Sequence, residues 1–114
     1  VDVLHGPDMC FHDDEGPHRE RSMALMGETG QAVTRRDLLT CHEFDVRDRL
    51  GDIDAPVLAI TGEHDRLTPP EYHEFLAENV PDGRSETIPE AAHLSMLERP
   101  EAFDEAVEQF LAEV

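Results

Sequence analysis

The run Val57-Leu58-Ala59-Ile60-Thr61, set between Pro56 and Gly62, limits the fold more than any other stretch of the chain. It is short, continuous and apolar, with no alternation that would turn one face to water. A run of this kind reads as a strand buried on both faces, the habit of parallel sheets. Parallel strands need a crossover between them, and the sequence supplies one. Thr68-Pro69-Pro70-Glu71 predicts a capping box with prolines in the first helical turn. Tyr72, Phe75, Leu76 and Val80 then share one helical face, and Pro81-Asp82-Gly83 ends the helix. Ser85 to Ile88 reads as a second strand and Pro89 to Met96 as a loop. Pro100 opens a last helix, in which Phe103, Ala106, Val107, Phe110, Leu111 and Val114 form one apolar stripe with the glutamates outward.

Strand, helix, strand, loop, helix is an α/β arrangement: two parallel strands with a crossover and a closing helix. Two strands make a poor sheet alone. Val57, Leu58 and Ile60 need cover on both faces and a neighbour on the free edge. Part of the sheet is therefore expected to lie outside this chain.

Ahead of the strand the signals are weaker. Pro17 to Met26 predicts a helix carrying Met23, Leu25 and Met26. A second helix is predicted from Thr34 to Phe44, with Thr34 as N-cap and Asp37 three residues on. Leu38, Leu39 and Cys41-His42 give it a partial apolar face, and Arg47 to Ala55 reads as a charged connection. His5, His12 and His18, with Asp8, Asp13 and Asp14, raise the question of a metal. Their irregular spacing fits no ligand pattern, so neither a metal nor a cofactor is expected.

The formal charge is −18, and all nine basic residues are arginine. Such a balance argues against nucleic acid or an anionic membrane as a partner. It destabilises a compact chain by self-repulsion unless salt screens it, and at ~1 M salt the screening length falls to ~3 Å. The acidity reads as adaptation to a salty cytoplasm, with an ordinary acidic mesophilic protein as the alternative. No apolar stretch approaches the ~18 residues of a membrane helix, and no secretion or lipidation motif is present. Cys10 and Cys41 match no paired spacing and are expected as free thiols in a cytoplasmic protein. The chain opens on Val1, which leaves a fragment, a processed product or a non-standard start codon open.

Two segments carry the chemistry: Gly62-Glu63-His64-Asp65 at the end of the first strand, and Ala92-His93 after the second. An Asp in a turn or a lone loop histidine says little by itself. Together, and followed by Glu98, Pro100, Glu101 and Phe103 in an E-x-P-E-x-F pattern, they resemble the C-terminal third of the α/β-hydrolase fold family. The likeness is strong over residues 55–114, the end of that family's core. Residues 1–54 resemble the tail of a helical cap, and Asp45-Val46-Arg47-Asp48-Arg49-Leu50 resembles the cap-to-core connection.

The resemblance implies a catalytic acid at Asp65 and a catalytic histidine at His93. A neutral imidazole can take a proton from a nucleophile and return it to a leaving group, and a carboxylate on its other nitrogen fixes the tautomer. Leu67, Leu94 and Met96 flank the site and are candidates for touching a small-molecule substrate. His64 is expected to point away from Asp65. The family's nucleophile comes earlier in the chain, in a G-x-S-x-G elbow. No such elbow occurs here, and Ser22, Ser85 and Ser95 lack the flanking glycines. The oxyanion loop is absent too. The chain by itself is thus expected to be inactive and poorly folded, needing an N-terminal hydrolase segment or a complementing chain. With a serine upstream, the reaction implied is hydrolysis of a small ester, lactone or related bond, nearest the enol-lactonase and small esterase branch. With an aspartate it would be haloalkane or epoxide hydrolysis. The alternative of another class is a non-catalytic remnant or interaction module.

Overall fold

The computed structural model describes residues 7–13 and 16–114. Its centre is a two-stranded parallel sheet, β1 (Val57–Gly62) and β2 (Gly83–Ile88). Their register runs from Val57 opposite Gly83 to Gly62 opposite Ile88. The crossover helix, which we label α4 (Pro70–Asn79), packs on both strands. The closing helix, α6 (Pro100–Glu113), also touches both. Arg84 of β2 fastens α6 twice, by an ion pair with Glu113 and by its guanidinium 5.5 Å from the centre of the Phe110 ring.

The N-terminal part is helical: α1 (Pro7–Cys10), α2 (Pro17–Thr29), α3 (Gln31–Glu43) and a 3-10 turn at Arg47–Asp52. A short α5 (Ser95–Glu98) precedes α6. Neither α2 nor α3 buries a single residue. Leu25, Met26, Val33, Leu38 and Leu39 all stand exposed on them.

Several boundaries differ from the sequence-based expectation, each for a local reason. Helix α2 continues past Met26 to Thr29, whose hydroxyl donates to the Leu25 carbonyl. It ends at Gly30, whose φ of 80° takes the chain into the left-handed region. The same glycine starts α3, so Thr34 lies inside the helix rather than capping it. Its hydroxyl donates back to the Gly30 carbonyl at 3.0 Å. The connection after α3 is partly a 3-10 turn, and Leu50 within it is buried. Pro69, not Thr68, precedes α4, and no side chain caps that helix. Thr68 is engaged elsewhere. Strand β2 begins two residues early, at Gly83. The expected loop from Pro89 to Met96 ends in α5, closed by bonds from the Leu97 and Glu98 amides to the Leu94 carbonyl.

The core is small: Cys10, Phe11, Leu50, Ala59, Val80, Ile88, Ala91 and Ala92. Apolar residues elsewhere on the sheet layer are only partly covered. Val80, just past the end of α4, is buried, while Tyr72, Phe75 and Leu76 of the helix are exposed. Val57, Leu58 and Ile60 of β1 are half-buried. Strand β2 instead exposes Ser85, Glu86 and Thr87, the polar run of an edge strand. The unfilled side of the sheet is therefore that of β1. The accessible surface measures 8316 Å², where a closed monomer of this size exposes about 6,300 Å². The excess is that of a partial fold, the C-terminal part of a larger α/β sheet.

Candidate active site

Parallel strands deliver their carboxyl ends to one side of the sheet, and the loops there are where reactive groups converge. Here β1 runs into Asp65 and β2 into His93. Gly62 permits the convergence. A side chain at that position would overlap the carbonyls of Ala91 and Ala92, so only glycine lets the two loops touch. Amides then join them: Glu63 to the Ile88 carbonyl at 2.9 Å and His64 to the Ala91 carbonyl at 2.8 Å. Between them Glu90 sits at φ 53°, a conformation that a non-glycine residue keeps only when its surroundings hold it. Its amide donates to the Glu63 carboxylate.

Asp65 is 5% exposed, and four polar groups meet its carboxylate. The amides of Leu67 and Thr68 each donate to Oδ1 at 2.9 Å. The Thr68 hydroxyl lies 3.1 Å from Oδ2, and His93 Nδ1 lies 3.0 Å from the same oxygen. An ionised carboxylate offers about four lone-pair sites, so this one is saturated and cannot turn. The His93 side chain keeps 32% of its surface exposed, against 2% for that of Asp65. Its Nε2 makes no hydrogen bond among the described residues. The pair thus sets a buried carboxylate against the inner nitrogen of a ring whose outer side is partly exposed.

Thr68 is the residue that the sequence did not point to. Its hydroxyl lies within hydrogen-bond reach of both members of the pair, 3.2 Å from His93 Nδ1. A Thr two places ahead of a helical proline reads as a cap, and the carboxylate that draws it away is only three residues back. Glu98 is the second surprise. Its Oε1 accepts from the amides of His12 and Asp13 at 2.6 and 3.0 Å, and its Oε2 from the amide of Ala92 at 2.7 Å. One carboxylate therefore ties the N-terminal segment to the residue beside His93. The Leu94 amide adds a bond to the Cys10 carbonyl at 3.0 Å.

His64 turns to another partner. Its ring stacks on His12, with centres 4.1 Å apart and planes 12° from parallel. Cys10 is buried, within reach of the charge of Asp65. Burial pushes its thiol up from the ordinary value, and the charge of Asp65 adds to the effect. Cys41 is exposed, and both cysteines are free. Leu67 and Leu94 are half-buried and Met96 is exposed, all three on the segments that carry Asp65 and His93. Of the histidine and acid cluster near the N-terminus, His5 and Asp14 and the side chain of Asp8 lie outside the described residues. Among the described residues no three His, Cys, Asp or Glu side chains are grouped to hold a metal ion, and no helix is long and apolar enough to cross a membrane.

Comparison with known proteins agrees with this geometry at the level of the fold. A protein of Mycobacterium tuberculosis named as a non-heme bromoperoxidase, BpoC, is 44% identical over 63 residues, 55% of this chain and 24% of that protein. The 3-oxoadipate enol-lactonase 2 of Acinetobacter baylyi is 42% identical over 66 residues, 58% of this chain and 24% of that protein. The chain thus spans about a quarter of the length of these relatives. Among solved structures, a thermophilic esterase superimposes with a TM-score of 0.82 at 33% identity, over 98% of this chain and 44% of that one. The family model described as alpha/beta hydrolase fold matches residues 26–100, well over half of the sequence, and the chain belongs to that family.

Proposed function

We propose that this chain is the C-terminal part of a hydrolase that cleaves a small ester, lactone or related bond. His93 serves as general base and then general acid, and Asp65 holds it. The single observation that supports this reading most is the asymmetry of the pair: a buried, saturated carboxylate on His93 Nδ1 and a partly exposed ring beyond it. With the proton of the ring fixed on Nδ1, the Nε2 lone pair takes the proton of the nucleophile as it attacks the acyl carbon. The imidazolium so formed lies against the Asp65 carboxylate, which stabilises its charge. It gives the proton to the departing oxygen, and a water repeats the cycle to release the acid.

The nucleophile and the oxyanion donors belong to an upstream segment or a second polypeptide, placed on the open side of β1. The half-buried Val57, Leu58 and Ile60 and the exposed face of α4 favour this over a self-sufficient interaction module, whose apolar faces would already be closed. Residues 1–54 serve as the cap-like segment and residues 55–114 as core. Leu67, Leu94 and Met96 form the apolar wall for the substrate. The names of the enol-lactonase and esterase relatives favour the substrate class. The acidity favours a salty cytoplasm.

The test is turnover of p-nitrophenyl acetate and of a simple lactone. The 114-residue chain alone is expected to hydrolyse neither above background. The same chain joined to its upstream segment is expected to hydrolyse at least one. Turnover by the isolated chain that survives His93→Ala would overturn the reading.

A further inference from the structure

The position of the Thr68 hydroxyl has a chemical consequence. Asp65 Oδ2 has two polar neighbours, the hydroxyl at 3.1 Å and His93 Nδ1 at 3.0 Å. The hydroxyl has one proton. While that proton rests on Oδ2, the oxygen turns a lone pair towards His93 Nδ1, 3.2 Å away. Nδ1 then faces two acceptors and must carry hydrogen. If the ring hydrogen moved to Nε2, the Nδ1 lone pair would face the carboxylate. The hydroxyl could relieve this only by leaving Oδ2 for Nδ1, at the loss of a charge-assisted bond. The hydroxyl therefore disfavours the tautomer that would place hydrogen where a general base needs a lone pair. Its own place is fixed by the Thr68 amide on Oδ1 and by Pro69, which follows.

We infer that Thr68 is a positioning residue, whose hydroxyl holds His93 in the tautomer with hydrogen on Nδ1. The inference rests on the reading of His93 as general base. Its primary readout, the tautomer, does not depend on that reading.

The experiment takes the complete protein that carries this chain, with ¹⁵N-labelled histidine and the His93 signals assigned through His93→Gln. Ring nitrogen shifts and p-nitrophenyl acetate turnover are compared in wild type, Thr68→Val and Thr68→Ser. Valine keeps the amide and the shape and removes only the hydroxyl. In wild type Nδ1 is expected to be protonated and Nε2 bare. In Thr68→Val the Asp65 carboxylate still acts on Nδ1, so the pattern becomes mixed rather than reversed, and kcat falls about twofold with KM unchanged, in proportion to the share of the ring that loses its Nε2 lone pair. Thr68→Ser restores both. A Thr68→Val protein with the wild-type nitrogen pattern overturns the inference, and Thr68→Ala takes its place in the comparison if the valine variant fails to fold. If His93→Ala retains turnover, the catalytic reading falls while the nitrogen pattern still decides the role of Thr68.

Discussion

Asp65 Oδ2 and His93 Nδ1 lie 3.0 Å apart although 28 positions separate the two residues in sequence. Two turns bring them together, one at the end of each strand. The contact between those turns depends on Gly62.

Gly62→Ala is expected to destabilise the completed protein by about 1–3 kcal/mol, the usual range for forcing a methyl group into a packed site. The added carbon meets the carbonyls of Ala91 and Ala92, and main chain cannot step aside as a flexible side chain can. Because the strain falls on the loop before His93, turnover should drop with stability. Denaturant titration measures the first effect, and an unchanged midpoint would contradict the close approach.

Glu98→Ala removes the acceptor for three amides. The His12 and Asp13 amides are at the surface and regain water. The Ala92 amide is partly buried and does not, so it carries most of a cost of about 2 kcal/mol. The N-terminal segment should be cut by protease near His12 at lower denaturant concentration than in wild type. Equal cleavage in both proteins would show that Glu98 holds nothing.

Alkylation should separate the two thiols. Iodoacetamide should label Cys41 within the native state and Cys10 only once denaturant opens the fold. The same burial has a sign in pH. The Cys10 thiol is raised above its ordinary value of 9.0, so the folded state holds that proton more tightly than the unfolded one. Its contribution to stability is complete below about pH 9 and is lost as pH climbs through the folded value. Cys10→Ala should flatten the alkaline limb of a stability–pH curve, and a limb of undiminished slope would speak against the thiol as its cause.

Salt and completion of the sheet should act separately on the isolated chain. At low salt, a charge of −18 and the uncovered face of β1 together predict a broad thermal transition and binding of a hydrophobic dye. Near 1 M salt, where screening reaches ~3 Å, the chain should contract, yet dye binding should persist because no salt covers the sheet. A sharp transition at low salt would mean that the chain closes its own core.

The core elements are legible in the sequence because their signals are local and agree with one another. Pro56 and Gly62 bracket the apolar run of β1, the apolar face of α4 has helical spacing, and Pro100 opens α6. Asp65 and His93 are legible only as a combination, through the order strand, acid, strand, histidine and the residues after it. Thr68 reads as a cap because a cap and an acid-binding hydroxyl look alike in sequence. What distinguishes them is the return of the chain onto Asp65. Glu98 is visible as part of a pattern, but its task depends on amides 86 and 85 residues away. The shifted N-terminal boundaries have one cause: Gly30 at φ 80° ends one helix and begins the next, and no side chain records that.

The central claim, that His93 works as the base held by Asp65, is tested most directly by the steady-state turnover of His93→Ala in the protein that includes both this chain and its upstream segment. The imidazole is partly exposed, so stability should change by less than about 1 kcal/mol. Turnover should fall at least about a thousandfold, with the fold intact by circular dichroism. Wild-type turnover in a folded His93→Ala protein would contradict the claim, because the pair formed by Asp65 and His93 would then hold the loops together and do no chemistry.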